Sequence, residues 1–198
     1  MAQKDQIKWD QKYLDNPTLL HRTTPSTIVE KYAPIVAKGR ALDIACGVGR
    51  NSIYLASVGY VVDAIDISAV ALQELTQHLE KITDISKVHT KLIDIDSYTP
   101  VEDSYELIVM INFLDRELIP KLAKALKIGG VLIIETYIYD EQNQKSHSNP
   151  DFLLQKGELA SYFDSKFEVL DSREFWNDNS EIYRMKKDSI VVRRRQYA

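Results

Sequence analysis

The chain is short of several things that would name a chemistry directly. It has a single cysteine, Cys46, so no internal disulfide can form and no cluster of thiolate metal ligands can be built. No apolar run approaches the ~20 residues that span a bilayer, and the opening MAQKDQIKWD has no apolar core of a signal peptide. A cytoplasmic protein with no membrane partner is therefore expected. With 25 basic against 29 acidic residues the net charge is −4, which offers no long electrostatic footprint for nucleic acid and favours small-molecule substrates. His21, His78, His89 and His147 are scattered without metal-ligand spacing, and no metal is expected. There is no G-x-S-x-G elbow and no P-loop lysine, which removes two large groups of hydrolases. Oligomeric state leaves no mark in the sequence.

What is present fits one substantial domain over residues 1–198, of ordinary globular composition at 44% hydrophobic and 27% charged residues. It is organised around residues 41–51, ALDIACGVGRN. The apolar stretch 41–45 suits a strand buried on both faces of a parallel sheet. Gly47 and Gly49 then permit a sharp turn, and residues 50–57 continue at helical spacing with Ile53, Leu55 and Ala56 inward. Strand, glycine turn and helix together form the floor of a nucleotide site. A dinucleotide site wants a third small residue in GxGxxG, where this chain has Ser52. Asp43, four residues before Gly47, would repel a pyrophosphate and attract a cation, and S-adenosylmethionine carries both an ammonium and a sulfonium.

At DIACGVG the chain resembles motif I of the class I S-adenosylmethionine-dependent methyltransferases. That resemblance implies a Rossmann-like α/β fold, a mostly parallel seven-stranded sheet in the order 3-2-1-4-5-7-6 with its last strand antiparallel and helices on both faces. It also implies a cofactor site made of Asp43, Ala45, Cys46, Gly47, Gly49, Arg50, Asn51, Asp66, Ile67, Asp94, Ile95 and Asn112. Asp66 ends a second strand, residues 61–65, where a carboxylate accepts both hydroxyls of a ribose. By resemblance Asp94 and Ile95, after a third strand at 88–93, meet the adenine amino group and ring. LKIGGVLIIETY is similar to the segment entering strand five of that superfamily, with Ile128 in place of the usual proline. INFLDR lacks the Pro-Pro-aromatic run of enzymes acting on DNA amines.

Beyond these motifs, GRNSIYLASVGYVVDAIDIS and the WDQKY start resemble the TehB-like, tellurite-resistance branch. Soft chalcogen oxyanions are methylated there, which makes Arg22, Arg50 and Arg116 candidate anion holders, since a guanidinium grips an oxyanion through two donors. His21, Asn112 and Tyr137 complete the substrate-side candidates, while the general base, if any, stays open.

The flanks are read as follows. Residues 1–36 form an N-terminal helical arm, with Ile7, Trp9, Tyr13 and Leu14 on one side, which either packs on the domain or covers the ligand. Ser26 caps a helix over residues 27–36, and Ser68 caps one that buries Leu72, Leu75 and Leu79. A strand at 105–111 is followed by a helix at 115–127 and a strand at 131–135. Residues 137–157 are a polar, lid-like loop anchored by Phe152, Leu153 and Leu154. Two last strands take residues 167–176 and 189–195, Arg193, Arg194 and Arg195 protecting a sheet edge. Two other classes stay open at this point: an NAD-dependent oxidoreductase, and a non-catalytic module binding the cofactor or RNA.

Overall fold

The computed structural model describes residues 2–82, 87–145, 149–177, 181 and 183–196. His147 lies outside the described residues. Seven strands form one sheet in the order β3-β2-β1-β4-β5-β7-β6, as the motifs imply. The strands are β1 (Arg40–Ile44), β2 (Val61–Asp66), β3 (Val88–Leu92), β4 (Tyr105–Ile111), β5 (Leu126–Tyr137), β6 (Phe167–Trp176) and β7 (Lys186–Arg194). The first five run parallel, and β7 is antiparallel to both its neighbours. Strand order reverses between β1 and β4, and a ligand belongs at the carboxyl ends beside that reversal.

Alternation along the strands assigns the two cores. Ala41, Leu107, Val109, Ile111, Val131 and Ile133 face a layer containing Ile28 and Val29 of α3 (Thr27–Tyr32), Leu55 of α4 (Arg50–Ser57) and Leu72, Leu75 and Leu79 of α5 (Ala69–Glu80). Leu42, Ile44, Ile108, Met110, Leu132 and Ile134 face Leu118, Ile119 and Leu122 of α6 (Leu118–Ala125). Both faces of the central strands are covered, so β1 and β4 are close to continuous apolar runs.

Local competition moves several boundaries. The helix expected at 115–127 shrinks to α6, because Leu126 pairs with Tyr105 and β5 begins there, five residues earlier than its apolar run suggests. Pro34 ends α3 early, and Ala33–Ile35 turns as a 3-10 helix. In α1 (Ala2–Asp15), Ile7 and Leu14 face outward, while Trp9, Asp10 and Tyr13 are half-buried. In α4 the buried residues are Asn51, Ser52 and Leu55, with Ile53 and Ala56 half-buried, because polar side chains find partners inside. Arg193 and Arg194 lie on β7, an interior strand between β5 and β6, so they protect no edge. Arg194 bonds the carbonyls of Lys124 and Leu126, and Arg193 pairs with Glu168.

Residues 137–157 are tied to the body at several points. Ile138 bridges to Leu154, Asn143 is buried with its amide on the Ile138 carbonyl, and Leu153 and Leu154 are buried. Phe152 is 52% exposed and does not serve as the anchor its sequence suggests. Among the described residues no helix is long and apolar enough to cross a membrane.

Candidate functional site

The loop after β1 is shaped by left-handed backbone. Ala45, Gly47 and Gly49 all have positive φ, at 53°, 56° and 75°. Gly49 also has no room for a side chain, since a Cβ there would overlap the buried Leu75 side chain. Ala45 and Asn112 are non-glycine residues in this region and end the two strands that flank the reversal. Such strain costs about 1–3 kcal/mol per residue and persists where surrounding bonds over-determine it, as at ligand sites. Here the Asn112 amide donates to Glu135 O at 2.7 Å and the Cys46 amide to Ile65 O at 3.0 Å.

Two carboxylates stand beneath this loop. Asp66 accepts from the Gly47 amide at 2.7 Å on one oxygen and from the Ser68 amide at 2.8 Å on the other. Each oxygen keeps a lone pair for a further donor, which suits a pair of ribose hydroxyls. Burial raises its carboxyl above the ordinary range, with those amides pulling back and Asp10 pushing further up. Asp43 is not at an open mouth, as its place in the sequence suggests, but 1% exposed, accepting a hydrogen bond from the Ser52 hydroxyl at 2.6 Å. Burial pushes its carboxyl up to about 7, partly countered by Ser52 and the nearby Arg50. Cys46 is buried beside them and its thiol is pushed well up by burial and by both carboxylates, so it is an inert lining group rather than a nucleophile.

The G-R-N-S segment braces the site. Arg50 donates to Thr24 O, Asn51 takes the Ser26 amide at 2.9 Å, and Ser52 holds Asp43. Arg50 and Asn51 thus fix the loop carrying His21 and Arg22 against the glycine turn. His21 is exposed, and Arg22 is half-buried, its charge acting on the phenols of both Tyr13 and Tyr137. Ser26 starts α3 but makes no side-chain cap, and its buried Oγ has no partner among the described residues. Arg116 is far from free: its guanidinium bonds both oxygens of Glu158 and the carbonyls of Asp151 and Leu153, a brace for the 150–158 segment. Asp94 accepts from the Asp96 amide at 3.2 Å, Ile95 is buried and Ile67 half-buried.

The arm roofs the loop. Asp10 accepts from the Ser68 hydroxyl at 2.6 Å and the Val70 amide at 3.1 Å, at the start of α5, and the Tyr13 hydroxyl lies 2.7 Å from where a Cβ on Gly47 would stand. Burial and Asp66 push the Tyr13 phenol far up, so it remains protonated. The arm thus packs on the domain beside the glycine turn.

A further group was missed in the sequence. Lys187 of β7, with a side chain 5% exposed, bonds Glu181 at 2.6 Å, Glu135 at 3.3 Å and Asn112 Oδ1 at 2.8 Å. Tyr137 donates to Glu181 at 2.5 Å. Only the β5–β7 register, which sets Tyr137 opposite Lys187 and Glu135 opposite Ser189, assembles this cluster.

The donor set fits an S-adenosyl cofactor. A buried pair of carboxylates and close-approaching glycine backbone suit a cationic amino acid tail and a ribose, and they offer no positive cradle for a pyrophosphate. Comparison with known proteins gives the same direction. The probable S-adenosyl-L-methionine-dependent methyltransferase TehB of Haemophilus influenzae is 33% identical over 109 residues, covering 52% of this chain and 37% of that protein. The chain spans about a third of the length of the curated TehB relatives it matches. The crystal structure of TehB from Haemophilus influenzae superposes with a TM-score of 0.73 at 26% identity, over 88% of this chain and 64% of that one. A SAM-dependent methyltransferase from Methanosarcina mazei shares the fold, with a TM-score of 0.69 at 19% identity, over 88% of this chain and all of that one. With the family description "Tellurite resistance protein TehB" matching residues 5–192, this chain belongs to the TehB family.

Proposed function

We propose that the protein is an S-adenosylmethionine-dependent methyltransferase acting on a small molecule in the cytoplasm, where a lone buried thiol such as Cys46 stays reduced. The observation that carries this reading is the buried pair Asp43 and Asp66 beneath the glycine turn, an environment suited to a cationic guest. When bound, S-adenosylmethionine supplies an electrophilic methyl group. Asp66 holds the ribose, Asp43 balances the positive tail, and Asp94 with Ile95 receive the adenine. Asn112 and Tyr137 stand at the ends of β4 and β5, where the acceptor is aligned in line with the methyl carbon. Tyr13 and the arm keep water out. The acceptor we assign is an oxyanion, as the family's tellurite-resistance name suggests, met by Arg22, the candidate guanidinium with no hydrogen bond to the described residues.

The test is thermal. S-adenosylhomocysteine at a hundredfold over its dissociation constant stabilises by about 2.7 kcal/mol, which for a chain of this size raises Tm by roughly 5–10 °C. NAD leaves Tm unchanged. The reverse result makes the protein a nicotinamide oxidoreductase, and a steeply salt-dependent affinity for RNA makes it an RNA-binding module.

A further inference from the structure

Lys187 has three hydrogens and no lone pair, and the structure gives each a carboxylate or amide oxygen: Glu181, Glu135 and Asn112 Oδ1. This has consequences for two side chains that face the reaction. The Asn112 amide must turn its oxygen to the ammonium, which sends both Nδ2 hydrogens the other way. No described residue accepts them, and Asn112 itself is half-buried, just beyond the carboxyl end of β4. Glu181, with one oxygen on Lys187, accepts a hydrogen bond from the Tyr137 hydroxyl on the other, which holds the phenol in place. The Asn112 backbone, at φ 58°, is locked in the same place by its amide bond to Glu135 O. Arg22 is half-buried, and its charge acts on Tyr137.

We propose that Lys187 is a positioning residue for the methyl acceptor, acting through Asn112, whose amide it orients so that two N–H donors face the cleft beside Arg22. The inference rests on the methyltransferase reading and deepens it: the acceptor is held at an oxygen that accepts hydrogen bonds. A neutral leucine or methionine at 187 would leave the Asn112 amide free to flip and Glu135 and Glu181 unneutralised under the acceptor.

The experiment uses selenite and tellurite as probes, titrated by calorimetry into the full chain saturated with S-adenosylhomocysteine. Both oxyanions are expected to bind. Lys187→Met weakens them about tenfold or more, with S-adenosylhomocysteine affinity unchanged, and Lys187→Arg recovers part of the loss. Asn112→Asp preserves a partner for Lys187 but exchanges the donors for a carboxylate, and weakens oxyanion binding as strongly. Where Lys187→Met fails to melt cooperatively, Lys187→Arg and Asn112→Asp decide. Oxyanion binding absent from the saturated wild type, or equal in wild type and Asn112→Asp, overturns the proposal while leaving the cofactor reading in place. Failure of S-adenosylhomocysteine itself to bind overturns both.

Discussion

For Asp43, folding stability and the proposed cofactor binding pull in opposite directions. Unfolded, its carboxyl ionises near 3.8; folded, burial holds the proton to about 7. Between these values the native state binds more protons than the unfolded state, so stability falls as pH rises through that window and stays reduced above it. Asp188, raised to about 6 by burial and Glu174, acts in the same direction. A cationic guest favours the ionised form, so affinity for S-adenosylmethionine rises with pH up to about 7 and then levels off. Calorimetry across pH 5.5–8.5 checks this, and Asp43→Asn flattens the profile while raising the Tm of the free protein at pH 8. A pH-independent affinity in the wild type removes Asp43 from the site. For Asp66, replacement by Ala deletes the ribose acceptor and strands the Gly47 and Ser68 amides. Charged hydrogen bonds of this kind contribute about 1.5–3 kcal/mol, so S-adenosylhomocysteine affinity drops roughly ten- to a hundredfold. Both acids could be found from the sequence, because each sits at a fixed offset from the glycine turn. Lys187 could not: Glu135 and Asn112 lie 52 and 75 positions away from it, and only strand pairing brings them together.

Elements were legible where one periodicity dominated, as in β1, β4 and α5, and misread where two signals competed. Leu126 fits both the end of a helix and the start of a strand, and pairing with Tyr105 settles it as strand. The arm is a second case. Ile7 and Leu14 are apolar yet exposed, and it is the polar contact of Asp10 with Ser68 and Val70 that sets which face packs. Asp10→Ala therefore loosens α1 over the glycine turn. Hydrogen exchange across residues 2–15 speeds up, and S-adenosylhomocysteine dissociates faster in stopped flow; equal rates in variant and wild type would show that Asp10 does not latch the arm. The 150–158 segment, by contrast, is pinned by the four bonds of Arg116.

At the scale of the molecule, the strand order followed from likeness to a family and not from spacing, because periodicity says what a strand buries and nothing about its neighbours. The sheet is uneven in depth. Six of seven β4 residues are buried, while four of the five in the terminal strand β3 are exposed. Amide exchange should accordingly be slowest in β1 and β4 and fastest in β3; uniform protection across the sheet would contradict this gradient.

The position of β7 has one more consequence. This strand follows β5 (Leu126–Tyr137) and β6 (Phe167–Trp176) in the chain yet lies between them in the sheet, and among the described residues it is the strand with which β6 pairs. Until Lys186–Arg194 has been synthesised, nascent β5 carries an open flank and β6 has nowhere to dock. Completion of this wing of the sheet therefore waits on residues 186–194, and a stop codon before residue 186 would remove the strand between β5 and β6 together with Lys187.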